Sequence, residues 1–206
     1  MARTDDFKNY VASLVEQLFA NNVASAEELL EQPYLKNSSQ TVKESLTAII
    51  AKLGENTLIS QATRFDLQGD GMIESYVHMG GRVGVLVEVG GGSRDNEKFA
   101  ALAHDLALQI AASSPQYLTE TDIPVEKIES EKEIYRAQLA EEKKPDHIKD
   151  RIIEGKLKKW YGEVTLLNQQ FVKDSDLTIA KLLEKYSKET GSPVEIRRFA
   201  RYELGG

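Results

Sequence analysis

Met72-Ile73-Glu74-Ser75-Tyr76-Val77-His78 is followed by Met79-Gly80-Gly81 and then by Arg82-Val83-Gly84-Val85-Leu86-Val87-Glu88-Val89. Two runs rich in β-branched and aromatic residues around a glycine pair predict a β-hairpin, since glycine permits the positive φ that a tight turn demands. Residues 194–204 alternate again, with Val194, Ile196, Ala200, Tyr202 and Leu204 on one side, and are expected as a third strand beside the hairpin. Upstream of Gly69, residues 56–67 alternate loosely and read as a further extended strand.

Helices surround these strands. In residues 4–22 the apolar positions Phe7, Tyr10, Val11, Leu14, Val15, Leu18 and Phe19 recur at three and four, which predicts one apolar helix face. Ser25 with Glu28, and Thr41 with Glu44, have the capping-box spacing that opens a helix; Pro33 closes the first and Gly54 suits the left-handed end of the second. Residues 95–112 carry the stripe Phe99, Leu102, Ala103, Leu106 and Ile110, and residues 175–189 carry Ile179, Leu182, Leu183 and Tyr186 before Gly191.

Residues 126–160 are the most charged part of the chain, broken at Lys143-Lys144-Pro145, where proline suits the first turn of a new helix. Residues 126–142 hold six acids and three bases, and residues 143–160 three acids and seven bases, so two antiparallel arms would attract modestly. Ile128, Ile134, Tyr135 and Leu139 are then expected to meet Ile148, Ile152, Leu157 and Trp160. The expected class is α+β: helices packed on small antiparallel sheets, with a projecting antiparallel helical hairpin. A first subdomain over residues 1–70 and a second over 71–206, with the hairpin inserted at about 126–160, is the expected division. No internal repeat or low-complexity tract is evident.

The 206 residues suffice for one domain or two small ones, and 41% apolar with 29% charged residues is an ordinary globular balance. The net charge of -7 argues against a nucleic-acid binder, which needs a basic footprint. With no cysteine, disulfides, thiolate nucleophiles and sulfur-ligated zinc fall away. The opening residues hold acids where an export signal would hold a basic patch, and no apolar run approaches the ~20 residues of a membrane span, so a cytoplasmic protein is expected.

The search for a reaction centre finds little. Strand, Gly90-Gly91-Gly92-Ser93 and helix follow the order of a phosphate-binding unit, but Asp95 stands where a dinucleotide fingerprint needs glycine, and no Gly-Lys-Ser/Thr ending follows. His78, His104 and His147 lie at no metal-ligand spacing; His104, opposite the Phe99 to Ile110 stripe, reads as solvated. Arg197, Arg198 and Arg201 form a cluster that Glu195 and Glu203 dilute, which favours a solvated strand face over an RNA site. No catalytic residue, cofactor or metal site is expected, and macromolecular binding is the profile that remains.

Several stretches together resemble elongation factor Ts. They are Arg3-Thr4-Asp5-Asp6-Phe7, Ala51-Lys52-Leu53-Gly54-Glu55-Asn56, Ser75-Tyr76-Val77-His78, Gly81-Arg82-Val83-Gly84-Val85-Leu86-Val87 and Ile110-Ala111-Ala112-Ser113-Ser114-Pro115. Lys144-Pro145-Asp146-His147-Ile148, Ile153-Glu154-Gly155-Lys156-Leu157-Lys158-Lys159-Trp160 and Glu163-Val164-Thr165-Leu166-Leu167-Asn168-Gln169-Gln170-Phe171-Val172 continue it in order. The resemblance implies a guanine-nucleotide exchange factor that binds elongation factor Tu, displaces GDP by disturbing the partner's magnesium and phosphate site, and needs no catalytic group. It also implies that Leu53, Gly54, Glu55 and Asn56, and the turn His78, Met79, Gly80, Gly81 and Arg82, belong to the partner-binding surface. The hairpin strands and the terminal strand resemble the part that meets the partner's third domain and, in some members, mediates self-association, so a homodimer is a further expectation.

Departures from the family pattern bear on activity. Full-length members carry a small helical domain, two strands and a Thr-Asp-Phe-Val motif before the Ala-Arg matched here by Ala2 and Arg3, and that Phe is the family's wedge beside the partner's magnesium site. Many also continue beyond the counterpart of Leu204 into a final helix. The expectation is therefore a core fragment that binds its partner with reduced exchange activity, and an exposed edge along residues 56–67. Two other classes compete with this reading: a structural or dimerisation module without exchange activity, and a nucleotide-binding enzyme built on the Gly90 loop.

Overall fold

The computed structural model describes residues 4–23 and 25–205; Ala2 and Arg3 lie outside them. The chain forms two compact units, Met1–Asp66 and Leu67–Gly206.

In the first unit, α1 (Asp5–Asn21) buries Tyr10, Ser13, Leu14 and Gln17, and Asn22 ends it in the left-handed conformation. α2 (Ala26–Glu31) is opened by Ser25, whose hydroxyl accepts from the Glu28 N–H at 3.1 Å. α3 (Val42–Leu53) carries the full capping box: Thr41 Oγ1 accepts from Glu44 N at 3.2 Å, and Glu44 Oε2 accepts from Thr41 N at 2.7 Å. Between α2 and α3 lies an unanticipated ribbon, β1 (Pro33–Tyr34) and β2 (Asn37–Thr41), too short and too irregular in register for its alternation to be read. Tyr10, Leu14, Val23, Leu29, Val42 and Leu46 form the core, with Ile59 and Ala62 packed against its margin.

Two expectations fail here. The α1 stripe is split, because Tyr10 and Leu14 are buried while Val11, Val15 and Phe19 are 40%, 47% and 65% exposed. Residues 56–67 form no paired strand, although Ile59 still points into the core. A strand needs a neighbour to accept its N–H and C=O groups, and no described residue of this unit offers one beside it.

In the second unit, β3 (Gly71–His78) and β4 (Val83–Gly90) form the expected hairpin, and β7 (Glu195–Glu203) pairs antiparallel with β4 to give the sheet order β3-β4-β7. α4 (Glu97–Ser113) covers one face of this sheet. The core joins Val83, Val85, Val87 and Val89 to Phe99, Leu102, Ala103, Leu106, Ala107 and Ile110. A bulge opposite Glu88 and Val89 skips Arg197 and reverses the alternation of β7, so Phe199, and not Ala200, packs against the core together with Ile196.

The charged stretch forms α5 (Val125–Gln138) and α6 (Asp146–Val164), the second starting directly after Pro145. Their contact holds Leu139, Ile153, Leu157, Trp160 and Val164, flanked by Ile128, Tyr135 and Ile152. Ile134 is instead 46% exposed. Across the arms Lys156 donates to Gln138 Oε1 and sits 5.3 Å from the Tyr135 ring centroid. At its base the hairpin is tied by Gln116 N and Tyr117 N to Val164 O at 2.9 and 3.1 Å, and by Leu166 N to Tyr117 O at 2.8 Å. A short ribbon, β5 (Gln170–Phe171) with β6 (Asp174–Thr178), leads into α7 (Ile179–Thr190), so residues 175–178, expected as helix, are strand.

The two units repeat one plan, contrary to the reading of no internal repeat. α1 and α4 are each 17 residues long and end on a left-handed residue, Asn22 and Ser114. The ribbons β1–β2 and β5–β6 both pair 2 with 5 residues and run straight into helices of 12 residues that end at Gly54 and Gly191. A buried glutamine clamps each ribbon in the same way. Gln17 donates to Pro33 O and accepts from Leu35 N, both at 2.9 Å; Gln109 donates to Gln170 O at 3.1 Å and accepts from Val172 N at 2.8 Å. Past the second helix, Arg64 pairs with Asp66 at 2.6 Å as Arg201 pairs with Glu203 at 2.8 Å. The repeat escaped sequence reading because the helices α5 and α6 separate its elements in the second unit and residues 25–31 hold that place in the first.

Candidate functional site

The expected partner-binding residues fall into two groups, one on each unit. In the second unit they cap the β3–β4 hairpin. Met79, Gly80 and Gly81 take φ values of 50°, 67° and 97°, so the chain reverses in left-handed conformations. Gly81 N and Arg82 N both donate to His78 O, at 3.2 and 3.1 Å, which closes the turn. Val77 and Met79 are 68% and 64% exposed, an apolar pair at a polar tip.

His78, the last residue of β3, has a fixed ring. Its Nδ1 lies 3.0 Å from the Tyr76 hydroxyl, and the two rings stack at 5.8 Å. With the hydroxyl donating, the ring proton resides on Nε2, which can then donate outward. Tyr76 is held in turn by the edge of His104 at 5.6 Å, and His104 Nδ1 lies 3.1 Å from Glu74 Oε1. His104 thus buttresses the strand while its side chain stays half exposed, in keeping with its reading as a solvated residue. A cavity of about 150 Å³ lined by Tyr76, His78, Leu108, Ala111 and Ala112 opens beside the ring. Tyr76, Leu108 and the two alanines were not anticipated; Tyr76 was readable, since residues two apart on a strand share a face.

In the first unit, Leu53 ends α3 and Gly54 follows in the left-handed conformation at φ 72°, its N–H donating to Ile50 O at 2.8 Å. A side chain at Gly54 would meet no heavy atom within 4 Å, so the glycine is needed for its backbone angle, and the bare backbone there faces open space. Glu55 and Asn56 are exposed, and Lys52 pairs with Asp6 at 2.8 Å. The result is a helix end with a half-buried leucine beside an open main chain, suited to close approach by another surface.

The glycine loop is not a phosphate cradle. A Cβ at Gly91 would come within 1.9 Å of Pro193 O, and one at Gly92 would strike the Phe99 ring, so the glycines admit the protein's own packing. Asn96 Oδ1 accepts from Lys98 N and Phe99 N at 3.0 and 3.2 Å and occupies the amides a phosphate would use.

Nor are the arginines simply solvated. Glu88, 0% exposed, accepts from Arg198 Nε and from Gln68 N, each at 2.7 Å, and lies 3.6 Å from Arg197 Nη1. Glu195, through its hydrogen bond, and Asp70 beside it raise the Arg197 pKa further above its ordinary value. These charges serve the bulge of β7. Among the described residues no group of three or more His, Asp or Glu side chains is placed to hold a metal ion, and no helix is long and apolar enough to cross a membrane.

Comparison with known proteins decides the family. The sequence model described as Elongation factor TS matches residues 1–206. This chain belongs to the elongation factor Ts family. Elongation factor Ts of Clostridium novyi (strain NT) is 44% identical over 201 residues, covering 98% of this chain and 65% of the relative. That of Clostridium perfringens (strain 13 / Type A) is 43% identical over 205 residues, covering 100% and 66%. At greater distance, elongation factor Ts of Trichlorobacter lovleyi is 39% identical over 208 residues. The chain thus spans just under two thirds of the length of the first of these relatives. Helices with small antiparallel sheets and a helical hairpin make up the elongation factor Ts fold seen here.

Proposed function

We propose that the chain binds elongation factor Tu through the turn His78, Met79, Gly80, Gly81 and Arg82 and through Leu53, Gly54, Glu55 and Asn56, and thereby promotes release of GDP. The observation that carries this reading is the hairpin tip, an exposed imidazole held in one orientation by Tyr76 beside two exposed apolar side chains. A preorganised anchor of this kind loses little entropy on binding. Exchange needs no catalytic group: a factor that prefers the nucleotide-free partner weakens that partner's hold on nucleotide by the same coupling free energy. The function is non-enzymatic in this reading, with no cofactor.

The proposal includes weaker stimulation than an intact factor gives, because none of the partner-binding residues named above supplies the aromatic wedge that the resemblance assigns. Release of a fluorescent GDP from elongation factor Tu measures this. Stimulation below that of a longer family member supports the reading; equal stimulation removes its second half, and absence of any capture by nucleotide-free Tu removes all of it. His78→Ala should weaken capture by about tenfold, the effect of losing one well-placed anchor.

A second reading, self-association, is favoured by the outer edge of β3, which beyond the Gly71–Ser93 bridge and the Arg94 bond to Ile73 O pairs with no strand among the described residues, together with exposed Val77, Met79 and Leu204. Light scattering across protein concentrations separates the two, since a constant monomer mass excludes the dimer.

A further inference from the structure

A groove of about 600 Å³ runs along β7 in the second unit. Residues 197–201 all line it, and since successive side chains of a strand leave opposite faces, five in a row can border one groove only along the strand's edge. That edge is the one turned away from β4, because β7 is outermost in the order β3-β4-β7. Leu204 N donates to Arg82 O at 2.9 Å, so the alternate residues Tyr202 and Ala200 bond β4, and the main-chain N–H and C=O of Phe199 and Arg201 point to the groove side. Across the groove stand Pro115, Gln116, Leu118 and Asp122. Their polar groups are engaged elsewhere: Gln116 N donates to Val164 O at 2.9 Å, Leu118 O accepts from Leu167 N at 3.1 Å, and the Asp122 carboxylate accepts from Thr119 N and Oγ1 at 2.8 and 2.7 Å. Arg201 differs. Its Nη2 pairs with exposed Glu203 at 2.8 Å, but its Nε is buried with no acceptor among the described residues.

We propose that this groove receives an extended peptide segment of another protein, added as one strand to the open edge of β7, with an acidic side chain on Arg201 and an apolar one two positions away on Phe199. The spacing follows from the register. Phe199 and Arg201 lie opposite the core residues Val87 and Val85, so they share a face, and an added strand sets residues two apart beside them. Phe199, Leu118 and Pro115 give the apolar contact. A carboxylate gives the Arg201 guanidinium a second acceptor through a charge-assisted bond, which a neutral or basic side chain does not. Main-chain bonds to Phe199 and Arg201 supply affinity independent of sequence, as in other strand additions. Size fixes the rest. Residues 197–201 span roughly 13 Å, the length of about five extended residues. The opposite wall, fastened to the base of the helical hairpin, bounds the groove at residues 115–118, so a lone strand fits there and the sheet behind the edge of a second copy does not.

Neither the groove nor its test involves nucleotide exchange. The probe is a labelled, end-capped peptide, Thr-Ile-Thr-Glu-Thr-Ile-Thr, whose acid has an isoleucine two positions away on each side and so serves either strand direction. Fluorescence anisotropy with the full chain should show saturable binding below about 1 mM. Replacing the peptide's glutamate with lysine should weaken binding by about tenfold or more, and Arg201→Gln in the chain should weaken binding of the glutamate peptide by a similar factor. Because Arg201→Gln also breaks the Glu203 pair, hydrogen exchange in the unaltered chain provides a second readout. With peptide bound, the amides of Phe199 and Arg201 should exchange about tenfold more slowly, while those of Ala200 and Tyr202, already bonded to β4, change little. The proposal is overturned by absence of saturable binding, by equal binding of the lysine peptide, or by a bound peptide that leaves the Phe199 and Arg201 amides exchanging as before. Protection of those two amides that grows with protein concentration alone overturns it as well, since the occupant would then be a second copy.

Discussion

α1 and α4 are the same helix in two settings. Both are 17 residues long, both clamp a short ribbon with a buried glutamine, and both end on a left-handed residue. α4 lies on a three-stranded sheet and uses alanines against it; among the described residues no strand covers the Val11, Val15 and Phe19 side of α1, which leaves larger side chains in solvent. The difference separates what a local motif can fix from what a layer must supply. Caps, ribbon and clamp assemble from residues close in sequence and survive without the sheet. Strand pairing does not, and residues 59–66 enter no ladder with the described residues.

That comparison breaks first at Glu88. Glu88→Ala leaves Arg198 and the Gln68 N–H without their buried acceptor and should cost about 3–5 kcal/mol. The loss should fall in the unfolding transition of the second unit alone. Denaturant unfolding followed by hydrogen exchange in each unit checks it, and a matching loss in the first unit would show that the two do not unfold separately.

Next come the clamps. Gln109→Leu should destabilise the second unit by about 2–3 kcal/mol, because Val172 N and Gln170 O lose their partner in the interior. Gln17→Leu should cost the first unit somewhat less, since Gln109 also donates to Ser113 and Gln169. Equilibrium unfolding of both variants ranks them; an unchanged midpoint for either would deny the shared clamp.

Gly54→Ala and Gly191→Ala should each cost about 1 kcal/mol, since both glycines hold φ 72° where a side chain is strained. Thermal melts should show equal losses. The smallest effect is a pH dependence in the first unit. Burial raises the Tyr10 pKa above 10.0, with the Ser45 hydrogen bond opposing it. The unfolded chain therefore ionises first, so Tyr10 contributes stability that is present below pH 10 and lost as pH rises through its folded value. Tyr10→Leu, the residue of α4 at this position, should blunt the alkaline loss in a pH series of unfolding midpoints.

Much of this was readable from sequence where a rule is local. Thr41 with Glu44, Gly54, Pro145 and the glycines of the β3–β4 turn each act on their own few residues. The misreadings lie where a distant element decides. Phe199 replaces Ala200 at the core because a bulge opposite Glu88 changes the side of the strand that faces inward. Residues 56–67 alternate like a strand but enter no strand ladder among the described residues. Of the site, His78 and Gly54 were visible as residue types in turns and caps. The Tyr76 hydroxyl that orients His78 follows from their two-residue spacing on β3, whereas the cavity beside them depends on α4 lying over that strand, which no spacing in the chain announces.

The base of the α5–α6 hairpin carries one more consequence. Its two ends enter and leave side by side, fastened by main-chain bonds between Gln116, Tyr117, Val164 and Leu166. The arm is therefore a detachable cassette on a stapled socket. Evolution or an engineer can shorten it, extend it or swap its tip for another recognition element, and the host scaffold will barely register the exchange.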